Sequence, residues 1–399
     1  MSGAIGSKVT RAGWMIAALG LGATWAQISL AADGTAPAGG TIAYAMYSIH
    51  WATYHTKDKK TECPDGFNDG PREQYRALFP EDGQKRTLLD TQLRREVDVW
   101  FATAAPDKFS FHYAAGGTAV GMNLDGKIGS NDFTSPDGEK GIDNQLYRVL
   151  GCINGFEDGG NNDYFDDLYF PKYQYDRIVI QISGIDSLVN SPQVEVTIAR
   201  GLDPLLTDAT GKQFIAGGTQ RIDFRAGASF IRHLHGKITD GVLTTEPEDI
   251  AYPWSSFGVP TYEYMRAGRF ALKLTPKSAS GMLGGYTDIE TFYVQTIKNH
   301  STHDSSYGQL SQPSLYKALH EVADGYPDPK TGANTAASSA LLTKFVQVFI
   351  LPQAQAKLAT FEPTHYLTPY KGTPYPRPST EEAREAGVPA SIAKVPDHH

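Results

Sequence analysis

Two histidines within residues 227–240, GASFIRHLHGKITD, have the type and spacing that can begin a metal site. His233 and His235 are separated by one residue, so on a β-strand both imidazoles face the same side. Imidazole is a common ligand of transition metals, and His303 or Asp240 could complete the ligand set. The pattern supports the hypothesis of a metal centre, and the alternative is that these histidines pack against the protein or face solvent.

An acidic, glycine-rich stretch begins at residues 123–133, NLDGKIGSNDF. It resembles the second half of a calcium loop of the EF-hand or dockerin type, in which oxygen ligands alternate around a central glycine. Gly126 stands at that turn, whereas Gly121 occupies the first ligand position, where aspartate is usual. The resemblance implies a stabilising calcium site, and the alternative is a set of solvated turns closed by Asp and Asn side chains. The predicted calcium ligands are Asn123, Asp125, Asp132, Asp137 and Asp143.

Aromatic residues offer a second kind of binding site. Trp51 lies in IHWATYH and Trp254 lies in AYPWSSFG. Exposed indole rings present large, rigid apolar faces on which sugar rings stack, so these two residues could form a platform for a glycan. Packing of both rings into the core is the alternative.

The first 31 residues have the order of a cleaved secretory signal peptide. Lys8 and Arg11 precede an apolar run at residues 12–26, and the small residues Ser29 and Ala31 follow at the spacing of a cleavage site. The run is shorter than the roughly 20 residues that span a bilayer, and no later segment is long and apolar enough to do so. We therefore expect export to the periplasm or the extracellular space, without a transmembrane segment in the mature chain.

Cysteine content and net charge narrow the class of protein further. Cys63 and Cys152 are the only cysteines, and in an oxidising compartment an even number favours a disulfide over two buried thiols. The formal net charge is −8 and basic clusters are lacking, which argues against a nucleic-acid partner. A glycan or another exported protein is the expected partner.

The composition favours a mainly β fold. Gly (40), Pro (24), Tyr (21) and Phe (18) are abundant, which is typical of short aromatic-rich strands joined by tight turns. Strands are predicted at residues 41–51, 175–183, 193–199, 220–224, 230–235, 270–274 and 290–297. Helices are predicted at residues 86–101, 143–150, 314–322 and 336–349. The predicted architecture is a β-sandwich, lectin-like or jelly-roll, with an acidic insert and a short helical C-terminal region.

The domain organisation follows from these segments. Residues 1–31 are assigned to the signal peptide, and residues 32–40, DGTAPAGG with its preceding alanine, to a flexible lead-in. The β-rich domain extends over residues 41–352, with the acidic insert around 116–167. Residues 353–399 are polar and proline-rich, which predicts an extended or disordered tail.

Residues 141–152, GIDNQLYRVLGC, resemble a stretch shared by uncharacterised exported proteins of Gram-negative bacteria. The resemblance extends to GKITDGVL at residues 236–243 and to DGYPDPKTGANTA at residues 324–336. It implies export and a β-rich fold, and it transfers no functional residues to this chain.

Two functions follow as hypotheses, because the sequence carries no recognisable catalytic motif. The first is a non-catalytic exported binding or accessory protein that calcium stabilises. The second is a metal-dependent enzyme that uses His233 and His235, with His303 or Asp240.

Overall fold

The computed structural model of the chain describes the backbone of residues 92–95, 98–102, 261, 312 and 313 and all atoms of residues 36–68, 111–157, 160, 177–224, 230–254, 262–296 and 314–352. The predicted signal peptide (1–31) and tail (353–399) lie outside the described residues. So does His303, together with most of the C-terminal part of the acidic insert.

Fifteen strands are described. They are β1 (Thr41–Trp51), β2 (Gln92–Arg95), β3 (Asp98–Ala102), β4 (Phe133–Thr134), β5 (Lys140–Ile142), β6 (Ile178–Ser183), β7 (Ser191–Arg200), β8 (Gly218–Gln220), β9 (Arg232–Thr239), β10 (Val242–Thr245), β11 (Glu248–Trp254), β12 (Thr261–Leu274), β13 (Ser278–Asp288), β14 (Gly325–Pro327) and β15 (Asn334–Ile350). Three described α-helices are α1 (Leu146–Leu150), α2 (residues 289–296) and α3 (Gln312–Glu321). Short 3₁₀ helices occur at Ala38–Gly40 and Asn154–Phe156.

Eight of these strands form a closed antiparallel barrel in the order β1-β6-β7-β9-β10-β12-β13-β15. The barrel closes because β15 pairs with both β13 and β1, for example Ala43 with Val348 and Trp51 with Leu341. The mainly β class is confirmed, but the predicted sandwich is wrong. Alternation and turns are the same local signals in both architectures, whereas closure depends on pairing between the first and last strands.

Each barrel strand pairs with the next barrel strand along the chain, so the barrel has up-and-down topology. The link between β9 and β10 is a two-residue turn of Asp240 and Gly241, with φ values of 51° and 78°. Positive φ at both positions matches the right-handed twist of the two strands, which is why an Asp-Gly pair suits this hairpin.

Alternating burial places the apolar residues of these strands inside the barrel. In β9 only Leu234 and Ile238 are buried, and in β7 the inward positions are Val194, Val196 and Ile198. Residues of α1, α2 and α3 belong to the same apolar core. No helix in the described part of the chain is long and apolar enough to cross a membrane.

Residues 111–157, part of the long insertion between β1 and β6, cover the outer face of β15. Gln145 donates its backbone N–H to Ser338 Oγ at 2.9 Å, and Ala52 donates to the Ala340 carbonyl at 2.9 Å. The insertion carries the predicted disulfide, Cys63–Cys152, which the structure confirms. Both half-cystines are buried in a small second core with Phe133 and Tyr147.

Three predicted elements are wrong in type. Within the helix predicted at residues 86–101, residues 92–95 and 98–101 instead belong to the β2–β3 hairpin, since the Val, Trp and Phe content favours strands. Residues 336–349, also predicted as helix, lie within β15, where the small outward side chains allow the insertion to approach. Residues 290–297, predicted as strand, begin as helix α2 because Asp288 caps it by accepting the Thr291 N–H at 3.0 Å.

Candidate binding site at one end of the barrel

A bulge in β1 determines which aromatic residue enters the barrel end. The pairing with β15 shifts between Met46 and Ser48, so inward side chains change from even positions to odd ones. Met46 and Trp51 therefore both face the core. Tyr47, at the bulge, instead packs on the outside against Phe214, with ring centroids 5.0 Å apart.

A second bulge, in β12, turns a carboxyl group toward the inside of the barrel end. Pairing with β13 shifts between Arg266 and Arg269, where Ala267 adopts a φ of 48°. Asp249 holds this bulge, since its Oδ1 accepts the Ala267 N–H at 3.0 Å. In a regular strand an odd and an even position face opposite sides. Because of the bulge, Glu263 and Phe270 instead both point into the barrel.

Three aromatic rings form an apolar wall at this end of the barrel. Trp51 stacks on Trp254 with centroids 5.6 Å apart, and the edge of Phe292 from α2 meets Trp51 at 5.5 Å. Trp51 is 8% exposed and Trp254 is 4% exposed. The two predicted ligand-binding residues therefore do come together, but as a buried pair and not as an exposed platform for sugars.

Two polar groups lie beside this aromatic wall. Tyr252 and Glu263 are direct cross-strand partners in the β11–β12 pair, with 1% and 4% exposure. Within the described part of the chain, neither the Tyr252 hydroxyl nor Glu263 Oε2 has a hydrogen-bond partner. Leaving such groups buried without a partner costs roughly 1–3 kcal/mol each, so their presence calls for an explanation.

Burial controls the ionisation of both groups. It raises the pKa of Glu263 well above the usual range of a carboxyl, and the negative charge of Asp288 raises it further. Burial also raises the pKa of Tyr252, with a smaller contribution from Glu263. Burial therefore favours the protonated form of Glu263, which both donates and accepts hydrogen bonds.

Helix α2 supplies a third polar group. Its start is fixed by Asp288, whose Oδ2 also pairs with Arg266 Nη2 at 2.6 Å. Gln295 follows Phe292 by three residues, so the two share one helix face, and Gln295 is 1% exposed. Its Nε2 has no hydrogen-bond partner among the residues with described side chains. We call Trp51, Tyr252, Trp254, Glu263, Phe292 and Gln295 the barrel-end cluster.

No protein-family model, curated protein or solved structure matches this chain.

The predicted histidine pair lies elsewhere, on the outer surface of the barrel. His233 and His235 share the exposed face of β9, as their spacing predicts. His233 Nδ1 lies 3.0 Å from Thr197 Oγ1, and His235 Nδ1 lies 3.5 Å from Glu195 Oε1. Asp240, by contrast, forms the β9–β10 turn.

The predicted calcium ligands lie in the loops of the insertion. Asn123, Asp125 and Asp132 accept the backbone N–H groups of Gly126, Lys127 and Gly129, at 2.7, 2.8 and 2.5 Å. Burial raises the pKa of Asp143 although its Oδ2 accepts the Leu124 N–H at 2.6 Å, and the charges of Asp132 and Asp125 add to the rise. Asp137 is exposed.

No group of three or more His, Cys, Asp or Glu residues that could hold a metal ion occurs among the described residues. The calcium site and the histidine site stay predictions.

Calcium titration checks the first of these predictions. Calcium is expected to raise the melting temperature, because a ligand that binds only the folded state stabilises it by mass action. Asp125→Asn and Asp132→Asn are expected to abolish that rise, whereas the exposed Asp186→Asn, outside these loops, leaves it intact. An unchanged melting temperature would mean that the backbone hydrogen bonds hold these loops without calcium.

Sequence reasoning missed Tyr252, Glu263 and Gln295. One signal was present in residues 261–270, TYEYMRAGRF. Glu263 and Met265 are two residues apart, so on a strand they lie on the same face. A charged residue on the apolar face of a strand is rare and marks either a partner or a function. The bulge at Ala267 concealed this face, because it breaks the alternation with Phe270.

Proposed function

We propose that this protein is an exported binding protein that holds a small organic ligand against the barrel-end cluster. The observation that carries the proposal is the set of buried polar atoms on Tyr252, Glu263 and Gln295, which lack partners within the described structure. A ligand with hydrogen-bonding groups would satisfy these atoms, and it would recover the free energy that their burial costs.

The architecture supports this proposal. A closed barrel of eight strands has an interior just wide enough for packed side chains or for one small ligand. Sites for small molecules are mostly apolar and aromatic, with a few polar groups that orient the ligand. Trp51, Trp254 and Phe292 supply the apolar wall, and the three polar side chains supply the orienting groups.

Three probes of one shape and different charge test the proposal. Benzyl alcohol, benzylamine and benzoate are titrated into the purified protein, with melting temperature and tryptophan emission as measurements. At least one probe is expected to raise the melting temperature and to change the emission of the buried Trp51–Trp254 pair. Tyr252→Phe removes only a hydroxyl group and is expected to weaken binding of that probe about tenfold.

His233→Ala is the matched control, since it changes an exposed side chain on the outer face of the barrel. It is expected to leave the affinity unchanged. Binding that Tyr252→Phe does not weaken would place the ligand elsewhere. If no probe binds, water alone satisfies the three polar atoms and the proposal is overturned.

A further inference from the structure

The charge balance at the barrel-end cluster favours one class of ligand. Glu263 forms no ion pair with a lysine, arginine or histidine of the described residues. Arg266, three residues further along β12, is committed to Asp288, which its Nη2 contacts at 2.6 Å. A ligand cation would therefore find a carboxyl group that no side chain neutralises.

The ion pair of Arg266 with Asp288 places no unpaired cation beside Glu263. Asp288 acts on Glu263 as a negative charge that opposes ionisation. An anionic ligand would find no unpaired cation among the described residues of the barrel-end cluster, and a neutral ligand would leave Glu263 un-ionised. A cation is attracted by the carboxylate of Glu263, and in a low-dielectric site that attraction is larger than it is in water.

The apolar wall also suits a cation. Aromatic faces carry negative electrostatic potential and attract ammonium groups, most strongly where water is excluded. Trp51, Tyr252 and Trp254 form a continuous row of rings, since the centroids of Tyr252 and Trp254 are 6.2 Å apart. The carboxyl group of Glu263 lies beside this row, because its residue pairs directly with Tyr252.

We propose that the ligand is a small organic amine in its cationic form. Its ammonium group pairs with the carboxylate of Glu263, and its apolar part packs against Trp51, Trp254 and Phe292. This inference rests on the binding function proposed above and specifies the class of ligand.

Proton release on binding is the most direct consequence. When the ammonium ion binds, the Glu263 carboxylic acid passes its proton to the buffer and becomes the carboxylate that pairs with the ammonium group. The amine keeps its own protons, so one proton leaves for each amine that binds near neutral pH. Benzyl alcohol, which carries no charge, is expected to release none.

Isothermal calorimetry of the wild-type protein, in buffers of different ionisation enthalpy, measures this proton count. We expect about one proton per benzylamine and at least tenfold tighter binding of benzylamine than of benzyl alcohol, since a charge-assisted hydrogen bond is roughly twice as strong as a neutral one. Glu263→Gln is expected to remove both the proton release and the preference for the amine.

Glu248→Gln is the matched control, because it makes the same substitution at an exposed position of the same strand pair. It is expected to leave both measurements unchanged. The proton count needs only the wild-type protein, so the test holds even if Glu263→Gln folds poorly.

The outcomes separate this inference from the proposed function. If benzyl alcohol or benzoate binds at least as tightly as benzylamine, and Tyr252→Phe weakens that binding, the inference of an amine ligand is overturned and the binding function stands. Benzylamine binding without proton release would also overturn it. Failure of all three probes would overturn both.

Discussion

Replacing Glu263 with glutamine is expected to stabilise the ligand-free protein at neutral pH and to flatten the pH dependence of its unfolding free energy. Glutamine keeps the size of the side chain and cannot ionise. The wild-type protein must keep an acid protonated in a buried site, where Glu263 Oε2 has no partner among described atoms. This requirement disappears in the variant.

The direction follows from the two states of the carboxyl group. In the unfolded chain Glu263 loses its proton above its usual pKa of 4.5, whereas burial raises this pKa in the folded protein, which holds the proton to higher pH. The contribution of Glu263 is therefore fully present below that pH and is lost as the pH rises toward the folded pKa. The loss amounts to about 1.4 kcal/mol per pH unit while only the folded state holds the proton.

Urea unfolding at a series of pH values from 4 to 7 measures this effect. The free energies of unfolding of wild type and Glu263→Gln are expected to agree most closely near pH 4 and to diverge as the pH rises, with the variant more stable. Other titrating groups cancel in this difference because both proteins share them. Glu248→Gln, in the same strand pair but exposed, is expected to run parallel to wild type.

A constant difference between wild type and Glu263→Gln over this pH range would contradict the prediction. It would mean that Glu263 is ionised in the folded protein at neutral pH and that burial does not control its proton.

Removing the disulfide is expected to cause the largest loss of stability. Cys63 and Cys152 are 89 residues apart in sequence, and the bridge closes most of the insertion between β1 and β6. In the chain-entropy treatment, a loop of this length corresponds to about 4–5 kcal/mol of unfolding free energy. Replacement of both cysteines by serine adds a cost, since both positions are buried among apolar groups.

Urea unfolding of the Cys63→Ser/Cys152→Ser protein, compared with wild type under reducing and oxidising conditions, checks this expectation. Reduced wild type is expected to resemble the variant. Trp51 and Trp254 contribute emission from the barrel and Trp100 contributes emission from the insertion, whereas phenol absorbance follows tyrosines that include Tyr147 in the insertion core. An unchanged unfolding midpoint by both measurements would show that the reduced insertion folds as stably as the bridged one.

Several elements could be predicted because their signals are local. Residues 41–51 are rich in β-branched and aromatic side chains, and β1 has those bounds. The disulfide followed from an even cysteine count and the expected compartment, and it is confirmed. The helix predicted at residues 314–322 corresponds to α3, Gln312–Glu321.

Other predictions failed where local signals conflict with the environment. Residues 336–341 are rich in Ala and Ser, which suit a helix, but they are buried on both faces of β15. The partners that bury them, β13, β1 and the insertion, are distant in sequence. Tertiary contacts override weak intrinsic preferences in such segments.

The sequence by itself determined a mainly β chain with one disulfide and placed His233 and His235 on one strand face. These properties depend on residue type and on spacing over a few residues. Only the tertiary structure decided that the strands close into a barrel and that Trp51 and Glu263 meet at its end. The physical reason is that closure pairs residues about 300 positions apart, and two bulges reverse which side chains face inward.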